Sequence, residues 1–315
     1  MQNTPSGLHH LTAIATDPQQ NIDFYTGLLG LRLVKKTVNF DDPSAYHLYY
    51  GDESGSPGSI VTFFYWPGAV RGRVGPGQVT SITFSAPSSA LGYWHDRLKK
   101  YSVTIERRSR FDEEVLAFSD PDGIPVEIVG IDGDSRSGWT GSGVPAEFAL
   151  RGMHTAELTV RDATPTEKLL TDVMGYRLVR RDASRARFEA GPGGPGRFVD
   201  VIANSTSPRG SGGAGTIHHI AYRVANDDEQ LHMQEVIARA GFPVSDVRDR
   251  DYFHSIYYRE RGGILFEIAT DVPGFAVDEP RESLGTALQL PRQIEPLRAQ
   301  IEGILPPVHA ARQYA

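Results

Sequence analysis

Two histidine doublets are the residues of this chain with the clearest capacity for chemistry. They are His9-His10 in the stretch GLHHLT and His218-His219 in the stretch TIHHIA, and together they hold four of the ten histidines. Imidazole is a common ligand of transition metals. Because the chain has no cysteine, a metal bound here must be held by nitrogen and oxygen atoms. The doublets therefore indicate a metal site, unless each one is only the polar start of a strand.

The position of each doublet within its strand decides which histidine can face a site. An alternating apolar stretch follows each doublet and predicts a strand, on which neighbouring side chains face opposite ways. His10 lies seven residues before Asp17, and His219 lies seven residues before Asn226. The second histidines are therefore equivalent, and we expect them to face one site while the first histidines face away.

The two doublets belong to a repeat of four similar units, each with the order βαβββ. Residues 168–179 resemble residues 23–34, which places the third unit in register with the first. Segments rich in glycine and proline lie between the units and are typical of linkers. The units cover residues 7–66, 78–130, 151–203 and 216–270, and the linkers cover residues 67–77, 132–144 and 206–215.

This repeat predicts an α+β fold in which four βαβββ units form two cups. The 315 residues are expected to divide into an N-terminal domain at 1–135 and a C-terminal domain at 145–315, with two units in each. A tail at 271–315 follows the fourth unit. It is expected to contain one short helix near 293–304 and to pack on a neighbouring unit or subunit.

The last strand of every unit follows a glycine, and the residue four positions later differs between units. After Gly58, Gly123, Gly196 and Gly263, these residues are Thr62, Glu127, Asp200 and Glu267. The count used for the histidines gives Thr80 in the second unit and Thr155 in the third, and it puts His154 in the register of the first histidines. His154 is therefore expected to face away from a site.

Pairing the first unit with the fourth brings His10, His219 and Glu267 into one cup. Two imidazoles and one carboxylate form the facial triad of non-haem Fe(II), although Mn, Co, Ni or Zn can use similar donors. The triad leaves open positions on the metal, as chemistry on O2 and a second ligand requires. Glu127 and Asp200 are expected to be remnants of duplicated sites, now solvated or hydrogen bonded.

The charge of the chain argues against a nucleic-acid partner. The net charge is -7, and the basic cluster at 107–110 is expected to be a solvated loop or strand end. Residues 1–8 show neither a basic start nor an apolar run, and no stretch approaches membrane-spanning length. These features predict a cytoplasmic protein without a membrane partner.

Several motifs make the chain resemble the vicinal oxygen chelate superfamily, which includes glyoxalases, bleomycin resistance proteins and extradiol dioxygenases. The resemblance covers all four units. The stretches 33–43 and 47–52 and the glycine-rich segment after Trp66 are more specifically similar to the hydroquinone and chlorohydroquinone 1,2-dioxygenases. The motifs shared with the superfamily are GLHHLT, Phe24-Tyr25 with Leu29-Gly30-Leu31, the run Asp120-Pro121-Asp122-Gly123, and the closing Glu267.

The resemblance implies an Fe(II) site, with Mn(II) as the alternative metal, formed by His10, His219 and Glu267. It also implies catalytic roles for His9, His218, Arg250 and Tyr257 and a substrate-binding role for Thr12, Arg250 and Tyr257. Strand alternation lets the first histidines act only if the strand begins irregularly or the pocket wraps around its edge. His47 and His254 are expected to be surface or strand-edge histidines.

The sequence thus predicts an Fe(II)-dependent dioxygenase that opens a hydroquinone or catechol ring with O2. Its partners would be a small aromatic substrate and O2, and a homodimer is compatible with the acidic chain and helical tail. One alternative is a glyoxalase-type metal-dependent isomerase or thiol transferase. The other is a protein that binds an aromatic ligand without catalysis.

Overall fold

The structure, a computed structural model, describes residues 4–66 and 68–314. Residues 1 and 315, which bound the predicted domains, and Pro67, the first residue of a predicted linker, lie outside the described residues. The strands are β1 (Leu8–Ala15), β2 (Arg32–Asn39), β3 (Asp42–Gly51), β4 (Ile60–Tyr65), β5 (Gln78–Ala86), β6 (Glu106–Arg110), β7 (Glu113–Ser119), β8 (Pro125–Gly130), β9 (Met153–Val160), β10 (Arg177–Asp182), β11 (Arg185–Glu189), β12 (Phe198–Ala203), β13 (Thr216–Val224), β14 (Arg248–Asp249), β15 (Phe253–Arg259) and β16 (Leu265–Pro273).

The helices are short, and each unit has one between its first and second strands. In the second unit, Leu91, Trp94 and Leu98 recur at helical spacing and are buried, so the helix packs its apolar side on the sheet. The helices are α1 (Pro18–Ile22), which continues as a π-helical turn at Asp23–Leu28, α2 (Leu91–Lys100), α3 (Thr164–Asp172), α4 (Asp227–Arg239) and α5 (Arg298–Ile304). Within the described residues, no helix has the length and apolar composition needed to cross a membrane.

The strands form two curled eight-stranded sheets. The first sheet has the order β14-β15-β16-β13-β1-β4-β3-β2, and the second has the order β10-β11-β12-β9-β5-β8-β7-β6. The first sheet therefore combines units one and four, and the second combines units two and three. The predicted α+β fold of four βαβββ units in two cups is confirmed. Each sheet takes strands from both halves of the chain, and the division of the chain into domains at 1–135 and 145–315 stays a prediction.

The four glycines that precede the closing strands share one backbone conformation. Gly58, Gly123, Gly196 and Gly263 all have positive φ angles, between 80° and 107°. This region is open to glycine and strained for most other residues. The turn therefore fixes the start of the closing strand in each unit, which is why the residue four positions later is equivalent in all four.

The tail packs on the first unit. Lys35 of β2 is fully buried, and its ammonium group contacts the carboxylates of Asp278 and Glu279. Helix α5 begins later than predicted, because Pro296 lies in a preceding 3-10 turn and the residue before a proline disfavours the α conformation.

Candidate metal centre

The two doublets lie at symmetric irregularities where β1 pairs with β13. His10 is opposite Ala221, and Thr12 is opposite His219. The register shifts beside these pairs leave His9 and His218 as extra residues, so each first histidine forms a β-bulge. At each bulge, neighbouring side chains no longer face opposite sides of the sheet. The two rings of a doublet therefore lie together. Nδ1 of His9 lies 2.8 Å from Nδ1 of His10, and the same atoms of His218 and His219 are also 2.8 Å apart.

The second histidines meet Glu267 at the centre of the first cup. Nε2 of His10 is 3.3 Å from Nε2 of His219 and 3.3 Å from Oε2 of Glu267. Nε2 of His219 is 2.9 Å from the same carboxylate oxygen. Three ligands on one face of a metal, with bonds of about 2.1 Å at right angles, lie about 3 Å apart. The three buried side chains therefore have the spacing of a facial ligand set.

The chemistry of these three groups also fits a metal ion. Oε2 of Glu267 is buried and has no hydrogen-bond partner among the residues that the structure describes, while Oε1 accepts a hydrogen bond from Ser255. Burial acts to raise the pKa of Glu267, but His10 and His219 outweigh it and hold the pKa well below its usual range. Burial lowers the pKa of His219, which favours the neutral ring that can bind a metal. An anionic oxygen thus lies within 3.3 Å of two imidazole nitrogens, and the three atoms form a donor set suited to a metal ion.

The first histidines support the ring orientation of the second ones. A metal would use the lone pair on Nε2 of His10 and of His219, so the proton of each ring would be on Nδ1. This N–H group would then donate a hydrogen bond to Nδ1 of the preceding histidine. His9 is buried, packs against the ring of Phe253 and does not line the cavity. His218 is exposed and lines the cavity. The two first histidines are therefore alike in their contacts but differ in their access to a ligand.

A cavity of about 300 Å³ is lined by two of the three candidate ligands, His10 and His219. Its walls are mainly aromatic, and a few polar groups converge at its base and mouth, which is typical of a small-molecule site. The lining residues are His10, Thr12, Asn39, Phe40, Asp41, His47, Tyr49, Phe64, Trp66, His218, His219, Arg250, Phe253, Tyr257 and Leu265.

Arg250 and Tyr257 lie together on one side of this cavity. Nε of Arg250 donates to the Tyr257 hydroxyl at 3.2 Å, and Nη1 of Arg250 is 3.2 Å from the carboxylate of Asp41. Burial and the charge of Glu267 raise the pKa of Tyr257, so its phenol keeps its proton and can donate it. The adjacent Tyr258 points the other way and is buried against Met174. Asp41 at the mouth is mostly exposed and neutralises part of the charge of Arg250.

Thr12 lies at the base of the cavity, in a cluster that the sequence analysis did not find. Its hydroxyl is 2.8 Å from that of Thr62, which is 2.8 Å from Nε2 of His47. His47 was expected at a surface or strand edge, and this expectation is wrong, because it is buried within β3 and lines the cavity. Alternation could have found it, since His47 and Tyr49 share one face of β3. In β4, Thr62 and Phe64 follow the same rule, as does Trp66 directly after the strand.

The second cup has a serine, a threonine and ion-paired carboxylates at the positions equivalent to the candidate ligands of the first. Thr83 is opposite Glu127 as Thr12 is opposite Thr62, so Ser81, and not Thr80, is equivalent to His10. A count of seven back from Pro87 goes one residue too far, because the second unit is one residue shorter at this point and Ser81 lies six residues before Pro87. His154 is buried and lies 3.0 Å from the carboxylate of Glu113.

Arginine side chains fill the centre of this second cup. Arg110 contacts Glu127 at 2.6 Å and Glu157 at 2.9 Å, and Arg187 contacts Asp200 at 2.7 Å. The interpretation of residues 107–110 as a solvated segment is wrong for Arg110, whose side chain is only 10% exposed. Glu127 and Asp200 are hydrogen bonded or ion-paired and buried, and neither is solvated.

Comparison with known proteins defines the class to which this fold and site belong. The family model of the Glyoxalase/Bleomycin resistance protein/Dioxygenase superfamily matches residues 7–128 and 152–268. Glyoxalase I from Zea mays shares the fold, with a TM-score of 0.61 at 15% identity over 84% of this chain and 92% of that one. The chain belongs to this superfamily, as the sequence motifs predicted.

Relatives over nearly the whole chain narrow the class. The provisionally named ring-cleaving dioxygenase MhqO of Bacillus subtilis (strain 168) is 46% identical over 97% of this chain and 98% of its own length. The chlorohydroquinone/hydroquinone 1,2-dioxygenase of Sphingobium indicum is 34% identical over 94% of each chain. The crystal structure of a provisionally named dioxygenase from Bacillus subtilis has a TM-score of 0.95 at 45% identity and covers 98% of this chain and 99% of its own. The chain is an oxidoreductase of the dioxygenase type.

Proposed function

We propose that this protein is an Fe(II)-dependent dioxygenase that opens the ring of a hydroquinone, or of a catechol, with O2. The observation that carries the proposal is the buried set of His10, His219 and Glu267 at the base of an aromatic cavity. The name of the Sphingobium relative, a chlorohydroquinone/hydroquinone 1,2-dioxygenase, supports the substrate class. In the first unit, Thr62 occupies the position that Glu267 occupies in the fourth. The closing strands of the first cup therefore supply one carboxylate at these positions, and not two.

His10, His219 and Glu267 would hold the metal. Fe(II), when bound, would supply the redox chemistry that lets a phenolic ring and O2 react while both are held in place. His9 and His218 would keep the ligand rings in the tautomer that exposes Nε2. Because His218 is exposed within the cavity, it can also hydrogen-bond a ring oxygen.

The other cavity residues would position the ring. The Tyr257 hydroxyl accepts from Arg250, so its own proton is free to hydrogen-bond a ring oxygen. Arg250 would stabilise negative charge that develops on the substrate. Phe64, Trp66 and Phe253 would cover the faces of the ring and exclude water. The overall reaction adds both atoms of one O2 to one aromatic ring, so no external reductant is needed.

Oxygen uptake with Fe(II)-reconstituted protein tests the proposal. The protein is loaded anaerobically with Fe(II), its metal content is assayed, and hydroquinone and catechol are compared, with a Mn(II)-loaded sample alongside. We expect one O2 consumed and one ring opened per substrate molecule, because both oxygen atoms enter the product. The ratio of the two rates ranks the substrate classes.

Two outcomes would overturn the proposal. No uptake at full iron occupancy, with tight binding of the aromatic compound, would indicate a binding protein. No uptake together with turnover of a glutathione-type thiol adduct would indicate a glyoxalase-type isomerase or transferase. A cytoplasmic location and a homodimer stay predictions that accompany this function.

A further inference from the structure

A chain of four hydrogen-bonding side chains runs along one wall of the cavity. The Tyr49 hydroxyl lies 2.9 Å from Nδ1 of His47, and Nε2 of His47 lies 2.8 Å from the Thr62 hydroxyl. The Thr62 hydroxyl is in turn 2.8 Å from that of Thr12. All four residues are buried, and Thr12, His47 and Tyr49 line the cavity. The two ends of the chain are therefore the hydroxyls of Thr12 and Tyr49.

The hydrogen bonds in such a chain run in one direction when each buried hydroxyl donates to its neighbour, because a Thr62 hydroxyl that accepted from both sides would leave its own proton without a partner in the chain. Each threonine hydroxyl has one proton, and a neutral imidazole donates from one nitrogen and accepts at the other. If Tyr49 donates to Nδ1 of His47, then Nε2 donates to Thr62, Thr62 donates to Thr12, and the Thr12 proton is left for the cavity. In the opposite direction, the proton left over belongs to Tyr49.

Two features favour the direction that starts at Tyr49. A phenol is a stronger proton donor than an aliphatic hydroxyl, and an imidazole nitrogen is a better acceptor than a phenol oxygen. Arg250 lines the same cavity as Tyr49, and a guanidinium has no acceptor to offer to the Tyr49 proton. Burial lowers the pKa of His47, which agrees with the neutral ring that either direction requires.

We propose that Tyr49 holds His47 as the Nε2–H tautomer, so that Thr12 donates a hydrogen bond into the cavity to an anionic ligand oxygen. His47, Thr62 and Tyr49 are then positioning residues that act through Thr12. The ligand class is a phenolate or another small oxyanion at the open side of the candidate metal centre. The nature of this ligand rests on the proposed function, whereas the direction of the chain does not.

The tautomer of His47 can be measured without metal or substrate. Protein labelled with 15N in histidine is examined by two-dimensional NMR, in which the two ring nitrogens of each tautomer give distinct shifts. The His47 signals are those lost in His47→Gln. We expect the Nε2–H tautomer in the wild-type protein and a shift toward the other tautomer in Tyr49→Phe. An Nδ1–H tautomer in the wild-type protein would overturn the proposal, even if Tyr49→Phe does not fold.

Anaerobic binding of hydroquinone to Fe(II)-loaded protein tests the ligand end of the chain. A hydrogen bond to a charged oxygen is lost in Thr12→Val and weakened in Tyr49→Phe, so affinity should fall on the order of tenfold in the first variant and less in the second. Tyr50→Phe is the matched control, because the Tyr50 hydroxyl donates to Asn21 away from the cavity.

The two measurements separate the two proposals. Unchanged affinity in Thr12→Val, with metal content equal to that of the wild-type protein, would overturn the role of Thr12. If the wild-type protein has the Nε2–H tautomer but binds no hydroquinone, the direction of the chain stands and the proposed substrate is wrong.

Discussion

The two cups of this molecule have the same strand topology, but different side chains occupy their centres. The first cup has two histidines and a glutamate whose buried oxygen lacks a hydrogen-bond partner among the described residues. The second cup has a serine and a threonine at the histidine positions, and its carboxylates are paired with arginines. A guanidinium brings its own charge and its own donors, so it neutralises buried carboxylates permanently. Among the described residues, side chains of the protein satisfy the carboxylates of Glu127 and Asp200 in the second centre but leave Oε2 of Glu267 in the first without a hydrogen-bond partner.

The largest expected effect comes from removing the carboxylate that makes the first cup different. Glu267→Gln takes away the anionic member of the candidate ligand set, so metal affinity should fall by more than about 100-fold and turnover should be lost. Metal content after dialysis and oxygen uptake measure this. The equivalent Glu127→Gln in the second cup should retain the metal. A fully metallated Glu267→Gln protein would show that the ligand assignment is wrong.

A second prediction concerns the stability of the second cup. Arg187 forms a two-pronged contact with Asp200 and also contacts Glu113, and its side chain is 3% exposed. Arg187→Met leaves these carboxylates partly uncompensated, so the free energy of unfolding should fall by about 3–5 kcal/mol. Urea denaturation measures it. Arg177→Met, at an ion pair on the exposed edge strand, should cost less than about 1 kcal/mol. Equal effects would contradict the comparison, and metal content per folded molecule should be unchanged in both.

The smallest effect is expected in the pH dependence of stability. Burial acts to raise the pKa of Glu113, but His154 and Arg187 outweigh it and lower the pKa to about 2. A lowered pKa adds stability that is fully present above the ordinary value near 4.5 and is lost as the pH falls toward 2. In metal-free protein, Glu113→Gln should therefore flatten the loss of stability in this range, measured by denaturation at several pH values.

The control for this pH experiment is the neighbouring residue. The side chain of Glu114 is 58% exposed, so Glu114→Gln should leave the acid dependence as it is in the wild-type protein. A wild-type profile in Glu113→Gln would show that the ion pairs of the second cup do not contribute to acid stability.

The repeat in the sequence contained most of the information about the fold. The four glycines of the closing strands need a positive φ, so counting from them gave the right register for Thr62 and Glu267. The pairing of the first unit with the fourth was reached by asking which pair yields two histidines and one carboxylate. The backbone constraints repeat in all four units even where the side chains differ, so the register carries over from one unit to the next.

The rest depended on contacts between distant segments. The bulges at His9 and His218 arise from the pairing of β1 with β13, so alternation along one strand could not reveal them. Arg110 contacts carboxylates from two other strands, β8 and β9, and its own neighbours in the sequence suggest exposure. Alternation along β3 puts His47 on the same face as Tyr49, so the sequence contains enough information to predict that His47 faces the cavity.

Units two and three, which form the second sheet, lie in the sequence between units one and four, which form the first. This arrangement sets the order in which the two sheets can form during synthesis. The second sheet uses consecutive units, whereas the first joins His10 to His219 across 209 residues. A ribosome delivers the chain from the N-terminus, and closing a long loop costs more conformational entropy than closing a short one. We therefore expect the ion-paired cup to be complete while β1, which carries His9 and His10, has not yet paired with β13. The candidate metal centre would be the last part of the nascent protein to form.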